Sequence, residues 1–221
     1  IGRRPRYVLL DQGASCWQQA RVSGNACSEI CIPGLSATHF VSRGLRSLGD
    51  WHTVSASRNF DILRLDLQPA TESLRRLLPG DARQQLPLHQ ILALRDDQQA
   101  GIPVLSSNAD GSLTMAEALV PGERIRWVIR QSLAAGQEIQ SLLQSAVNPE
   151  NRPIFGIMFS CIGRGPVFYG GEDLDLAAFR SAFPETPLLG ACGTGQIVFS
   201  PSGTQLFNSA AVTLLFEESH V

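Results

Sequence analysis

The chain has 221 residues, 43% hydrophobic and 17% charged, with a net charge of −2. Its length suits one large domain or two small ones and buries enough surface to fold without disulfide or metal staples, and its composition excludes a disordered chain. The charge balance excludes nucleic acid as a partner, no run approaches the roughly 18 apolar residues of a membrane span, and a Schiff-base mechanism is excluded because all 18 basic residues are arginine.

The chain begins at Ile1-Gly2-Arg3-Arg4 without an initiator Met and reads as truncated. Tyr7-Val8-Leu9-Leu10 reads as a short strand, and residues 13–34 as a loop. The five cysteines, Cys16, Cys27, Cys31, Cys161 and Cys192, are odd in number and irregular in spacing. They predict reduced thiols in a cytoplasmic protein, not a secreted disulfide framework. Cys27-x3-Cys31 has two thiols at a metal-compatible spacing, but no nearby pair completes a tetrahedral set.

Thr38–Arg43, Trp51–Ala56 and Phe60–Asp66 predict a three-stranded antiparallel meander. Pro69 opens a short helix that buries Leu74, Leu77 and Leu78, and residues 79–88 form the expected domain boundary. The expected domains are therefore residues 1–80 and 81–221. Strands follow at Ile91–Arg95 and Val104–Ser106, then a turn at Asn108–Gly111. Arg124–Arg130 alternates, with Ile125, Trp127 and Ile129 on its core face.

A helix over residues 133–147, capped by Ser132, places Leu133, Ile139, Leu142, Leu143 and Val147 on one stripe. The continuous apolar run Ile154–Phe159 predicts a central strand covered on both faces. Strand, helix and strand in that order predict a right-handed β-α-β crossover around residues 124–160. Asp173–Phe183 is a second helix, and strands follow at Leu188-Leu189, Gln196–Phe199 and Ala211–Phe216. The fold class is mixed α and β (α+β), with mixed sheets flanked by helices.

Chemistry concentrates where the apolar strand ends, at Ser160-Cys161-Ile162-Gly163-Arg164-Gly165-Pro166. Glycines there allow close backbone approach, and Arg164 offers a fork for a carboxylate or phosphate. Gly190-Ala191-Cys192-Gly193-Thr194-Gly195-Gln196 is a similar turn after the next strand. If the two strands are neighbours, Ser160, Cys161, Gly163, Arg164, Gly165, Gly193, Thr194, Gly195 and Gln196 share one ligand site. A structural salt bridge at Arg164 is the alternative, as is a small buried hydrophobe at Cys161 in place of a nucleophile. The loop is neither a P-loop nor a dinucleotide loop.

Phe155–Gly165, Pro187–Gly190, Gly195-Gln196-Ile197 and Leu206–Ala210 together resemble the C-terminal domain of the FIST family in order and spacing. Val41–Gly49 and Asp61–Ala70 resemble the end of its N-terminal domain, and Asn108–Leu113 also suits the C-terminal domain. Arg43 and Leu45 stand where the family usually has Gln and Cys, Leu67 where it has Gly, and Gln196 where it has Glu. The resemblance implies a signalling module, found in the family with kinase, cyclase or chemotaxis outputs and in some F-box proteins. It also implies sensing of small ligands such as amino acids, with one branch linked to haem-based gas sensing.

The expected function is thus a non-enzymatic sensory module that binds a small anionic or zwitterionic molecule, without a metal or cofactor, and contacts a signalling partner protein. Three alternatives stand beside it: a ligand-free interaction scaffold marked by an exposed apolar patch, a haem sensor using His39, His52 or His89, and a thiol enzyme at Cys161 with a histidine in reach.

Overall fold

A computed structural model of the chain describes residues 16–18, 21–23, 32–96, 98–200 and 203–219. The expected strand at Tyr7–Leu10 and the Cys27-x3-Cys31 pair lie outside the described residues. β1 (Cys16–Gln18) and β2 (Arg21–Ser23) form a hairpin. Then come β3 (Leu35–Ser42), β4 (Leu45–Ser47), β5 (His52–Arg58), β6 (Asp61–Leu65), β7 (Gln68–Pro69) and α1 (Ala70–Leu77). The chain continues through β8 (Ile91–Arg95), β9 (Gly101–Ser107), β10 (Leu113–Met115), β11 (Arg124–Arg130), α2 (Ser132–Ser145) and β12 (Phe155–Cys161). It closes with α3 (Pro166–Tyr169), α4 (Leu174–Ala182), β13 (Leu188–Gly193), β14 (Gln196–Ser200), β15 (Gly203–Phe207) and β16 (Ala211–Glu218). The class is α+β, as expected. None of the described helices is long and apolar enough to cross a membrane.

Two compact units emerge, residues 44–137 and residues 1–43 with 138–221. In the first, antiparallel strands run in the order β10-β9-β8-β11-β5-β6, and β10 pairs back onto β6 with Leu113 opposite Ile62. The ring of pairings closes the sheet into a barrel, in which β5, β6, β8, β9, β10 and β11 each have a strand neighbour on both sides along part of their length. Val54, Ile62, Leu65, Leu113, Met115, Ile125 and Trp127 fill it as one core cluster, each no more than 1% exposed, and Leu113 with Met115 and Ile125 with Trp127 do so by alternation. Arg124 and Arg126 point outward from β11, and the Arg126 guanidinium lies 4.4 Å from the Trp51 ring centre. Pro69 sets the first turn of α1, whose Ala70 and Leu74, with Leu78 just beyond, join the same core. The boundary expected at residues 79–88 therefore falls inside this unit.

The second unit holds a four-stranded mixed sheet in the order β13-β12-β16-β3. Ile139 and Leu143 of α2 and Phe179 and Phe183 of α4 pack with Met158 and Leu215 on one face. Gly156 permits this approach, because a Cβ there would lie 2.8 Å from the Phe179 ring. On the opposite face the Phe155 and Phe216 rings stack with centres 4.4 Å apart.

Four expectations are corrected. β5 and β6 form a hairpin, but β3 leaves the predicted meander to pair with β16, Leu35 opposite Glu218. The helix over 124–160 does not join paired strands, since β11 and β12 belong to different sheets. The parallel crossover instead runs from β12 through α3 and α4 to β13. β12 is central, yet only its helix-facing side is fully covered: Gly156 and Met158 are buried, whereas Phe159 is 42% exposed. On α2, Ile139 and Leu143 are buried while Leu133 and Val147 are exposed, so the apolar stripe is shorter than its periodicity implies.

Candidate functional site

β12 and β13 are parallel neighbours, with Gly156 opposite Leu188 and Cys161 opposite Gly193. Their carboxyl ends therefore release the turns at 162–165 and 194–195 at one end of the sheet, where open α/β sheets place binding sites; residues 190–193, expected in a turn, extend β13 instead. The Ile162 amide donates to the Gly193 carbonyl at 2.8 Å and holds the loops side by side.

Ser160 is half-buried and lies opposite Cys192 and Ala211. Cys161 is a free, buried thiol whose sulfur accepts from the Gly163 amide at 3.4 Å. Cys192 is a free, exposed thiol. Gly163 and Thr194 are exposed, while Gly165, Gly193 and Gly195 are half-buried. Gln196 is buried at the start of β14, and its Oε1 has no hydrogen-bond partner among the described residues.

Arg164 departs from the expected geometry. Its side chain turns inward and is 1% exposed, with Nη2 and Nε donating to the two Asp175 oxygens at 2.6 and 3.0 Å. Nη1 donates to the Ser42 carbonyl at 3.1 Å, and Nη2 also reaches Ser42 Oγ and the Tyr169 hydroxyl. That hydroxyl donates in turn to Asp175 at 2.7 Å. The fork expected to grip a ligand carboxylate thus grips one of the chain's own, tying β3, α3 and α4 together. Burial pulls the Arg164 pKa down, but the Asp175 carboxylate outweighs it and holds the guanidinium above its ordinary range. Burial also pushes the Tyr169 phenol up, so both groups keep their protons at any physiological pH.

What β12, β13 and the turn at 162–165 present outward here is apolar. Leu189 is 71% exposed and Ile162 73%, beside Phe159 and an exposed Ala191. Among the described residues β13 has one strand neighbour, β12. The Pro187 and Gly193 carbonyls accept from β12-side amides, which leaves the N–H and C=O of Leu188, Gly190 and Cys192 facing the open side. β13 carries no charge and no proline, the devices that usually protect an edge.

Sequence reasoning missed Asp175, Tyr169 and Ser42. Asp173-x-Asp175 reads as a helix start, and Asp173 does cap α4, accepting from the Asp175 and Leu176 amides. The second aspartate was the available signal for a buried cation nearby. Asp66, which fell within a stretch quoted for its family resemblance, bonds His52 at 2.8 Å in the other unit.

The FIST C domain family matches residues 70–198, more than half of the chain. An uncharacterized Mycobacterium tuberculosis protein is 23% identical over 182 residues, which cover 76% of this chain and 48% of that protein. An uncharacterized Mycobacterium bovis protein is 22% identical over 182 residues, covering 76% of this chain and 47% of that one. Human F-box only protein 22 is 43% identical over 56 residues, 25% of this chain and 14% of that protein. The chain spans about half the length of the mycobacterial relatives it matches.

Proposed function

The chain belongs to the FIST C domain family, and from that premise we propose that it is a non-catalytic signal-transduction module. Its recognition surface is the open side of β13 together with the turns at 162–165 and 194–195. The observation that carries this reading is the uncharged edge of β13, with Leu189 exposed beside it. Such an edge takes an extended polypeptide strand: backbone bonds supply affinity, and alternate side chains supply specificity. Phe159, Leu189 and Ala191 would meet the apolar side chains of that strand.

In the purified chain the strand on offer is β13 of a second copy. Sedimentation should show association that strengthens with concentration and is abolished by Leu189→Lys. Leu189 is exposed, so the substitution leaves the fold intact. A wild-type chain that stays monomeric at every accessible concentration would remove the reading.

A small anionic or zwitterionic ligand at the same loops is the second reading, favoured by the Ile162–Gly193 bond that holds them together. With Arg164 committed to Asp175, its anchors are loop amides and the Ser160 and Thr194 hydroxyls. A thermal-shift screen separates the two readings, because a ligand stabilises the chain by mass action without requiring its association.

A further inference from the structure

A recess of about 140 Å³ in the 44–137 unit lies between the start of β5, the turn after β6 and α1. At its wall His52 Nδ1 sits 2.8 Å from Asp66 Oδ2. Asp66 is unusually constrained. It holds a left-handed φ of 51°, its second carboxylate oxygen accepts from the Thr53 amide at 2.9 Å, and its own amide donates to the Thr53 carbonyl. Burial pushes its carboxyl up, but the Thr53 and His52 hydrogen bonds outweigh this and keep it below the ordinary range. Asp66 accepts the Nδ1 proton of His52, and the tautomer so fixed presents Nε2 as an acceptor.

That Nε2 is buried and has no hydrogen-bond partner among the described residues. The same holds for the Oγ of Ser73, a residue 6% exposed on α1. Buried polar atoms are rarely left unpaired, and these two residues line one shared space. Leu65 and Leu77 supply an apolar wall, and Arg76 lines the recess with a side chain 60% exposed. Arg76 bonds Glu72 at 3.2 Å, a surface pair weak enough to exchange for another carboxylate.

We propose that this recess binds a short-chain hydroxycarboxylate. The ligand hydroxyl donates to His52 Nε2, and its carboxylate accepts from Ser73 Oγ and pairs with Arg76. Its short alkyl part lies on Leu65 and Leu77. A cavity of ~150 Å³ accommodates benzene, so the space suits about six heavy atoms, the size of lactate. The recess belongs to a different unit from β13, and the inference does not rest on the reading of that edge.

The test titrates the intact chain with lactate and 3-hydroxybutyrate, and with propionate and butyrate as hydroxyl-free controls, by calorimetry and NMR. The hydroxy acids should bind and shift the His52 and Ser73 resonances, and the controls should bind at least about tenfold more weakly. Ser73→Ala should weaken hydroxy-acid binding about tenfold while the ligand-free melting temperature stays level or rises, since it deletes an unpaired buried oxygen. Equal binding of acids with and without the hydroxyl would overturn the proposal, as would no shift at tens of millimolar. A clear fall in the ligand-free melting temperature of Ser73→Ala would also overturn it, by assigning Oγ a structural partner.

Discussion

The Arg164 guanidinium meets the Asp175 carboxylate at 2.6 and 3.0 Å, with 1% and 2% of the two side chains exposed. Desolvating both charges costs several kcal/mol, offset by their mutual attraction and by the hydrogen bonds from Arg164 to Ser42 and Tyr169. The pair therefore fixes geometry more than it adds stability.

Removing one partner leaves the other charged and unpaired. Arg164→Ala should lose roughly 3–5 kcal/mol, while the double variant Arg164→Met with Asp175→Leu should lose much less. Denaturant unfolding of the three chains measures the difference. Equal losses in the single and double variants would show that shape, not charge, is what the site requires.

Gly156→Val places side-chain carbons where the Phe179 ring stands, since even a Cβ would come within 2.8 Å of it. Overpacking of this kind costs roughly 1–3 kcal/mol. Trimming the ring with Phe179→Leu in the same chain should recover part of that loss by thermal denaturation. An unchanged melting temperature for Gly156→Val would contradict the close packing of α4 on β12.

Much of this fold was legible because periodicity reports which residues face a core. The alternation of Ile125 and Trp127, the apolar run of β12 and the Pro69 helix start all lie where the pattern placed them. Pairing was not legible: nothing in Thr38–Ser42 says that it joins Ala211–Glu218 instead of the neighbouring β5. Local alternation carries no information about distant partners. At the site, the parallel neighbours β12 and β13 fitted a conditional expectation, but the inward turn of Arg164 did not follow from its flanking glycines. It depends on Asp175, eleven residues on, and on Ser42, 122 residues back.

Asp66 gives a pH dependence with a definite sign. Its folded pKa lies below its unfolded value, so its contribution is fully present above about pH 4 and is lost as pH falls through the lowered folded value. Asp66→Asn, which tolerates the same left-handed backbone, should be less stable than wild type at neutral pH. The gap should narrow through the acid range, and only modestly in size, because the side chain is 49% exposed. Parallel unfolding curves at every pH would contradict the assignment.

The central claim is that β13 offers an open edge that takes a polypeptide strand, and amide hydrogen exchange reads it residue by residue. In dilute solution the amides of Gly190 and Cys192 should exchange quickly, while those of Leu189 and Ala191, directed at β12, should be protected. At high concentration the Gly190 and Cys192 amides should become protected in wild type and stay fast in Leu189→Lys. Protection of Gly190 and Cys192 in dilute wild-type protein, or fast exchange at both concentrations, would contradict the account.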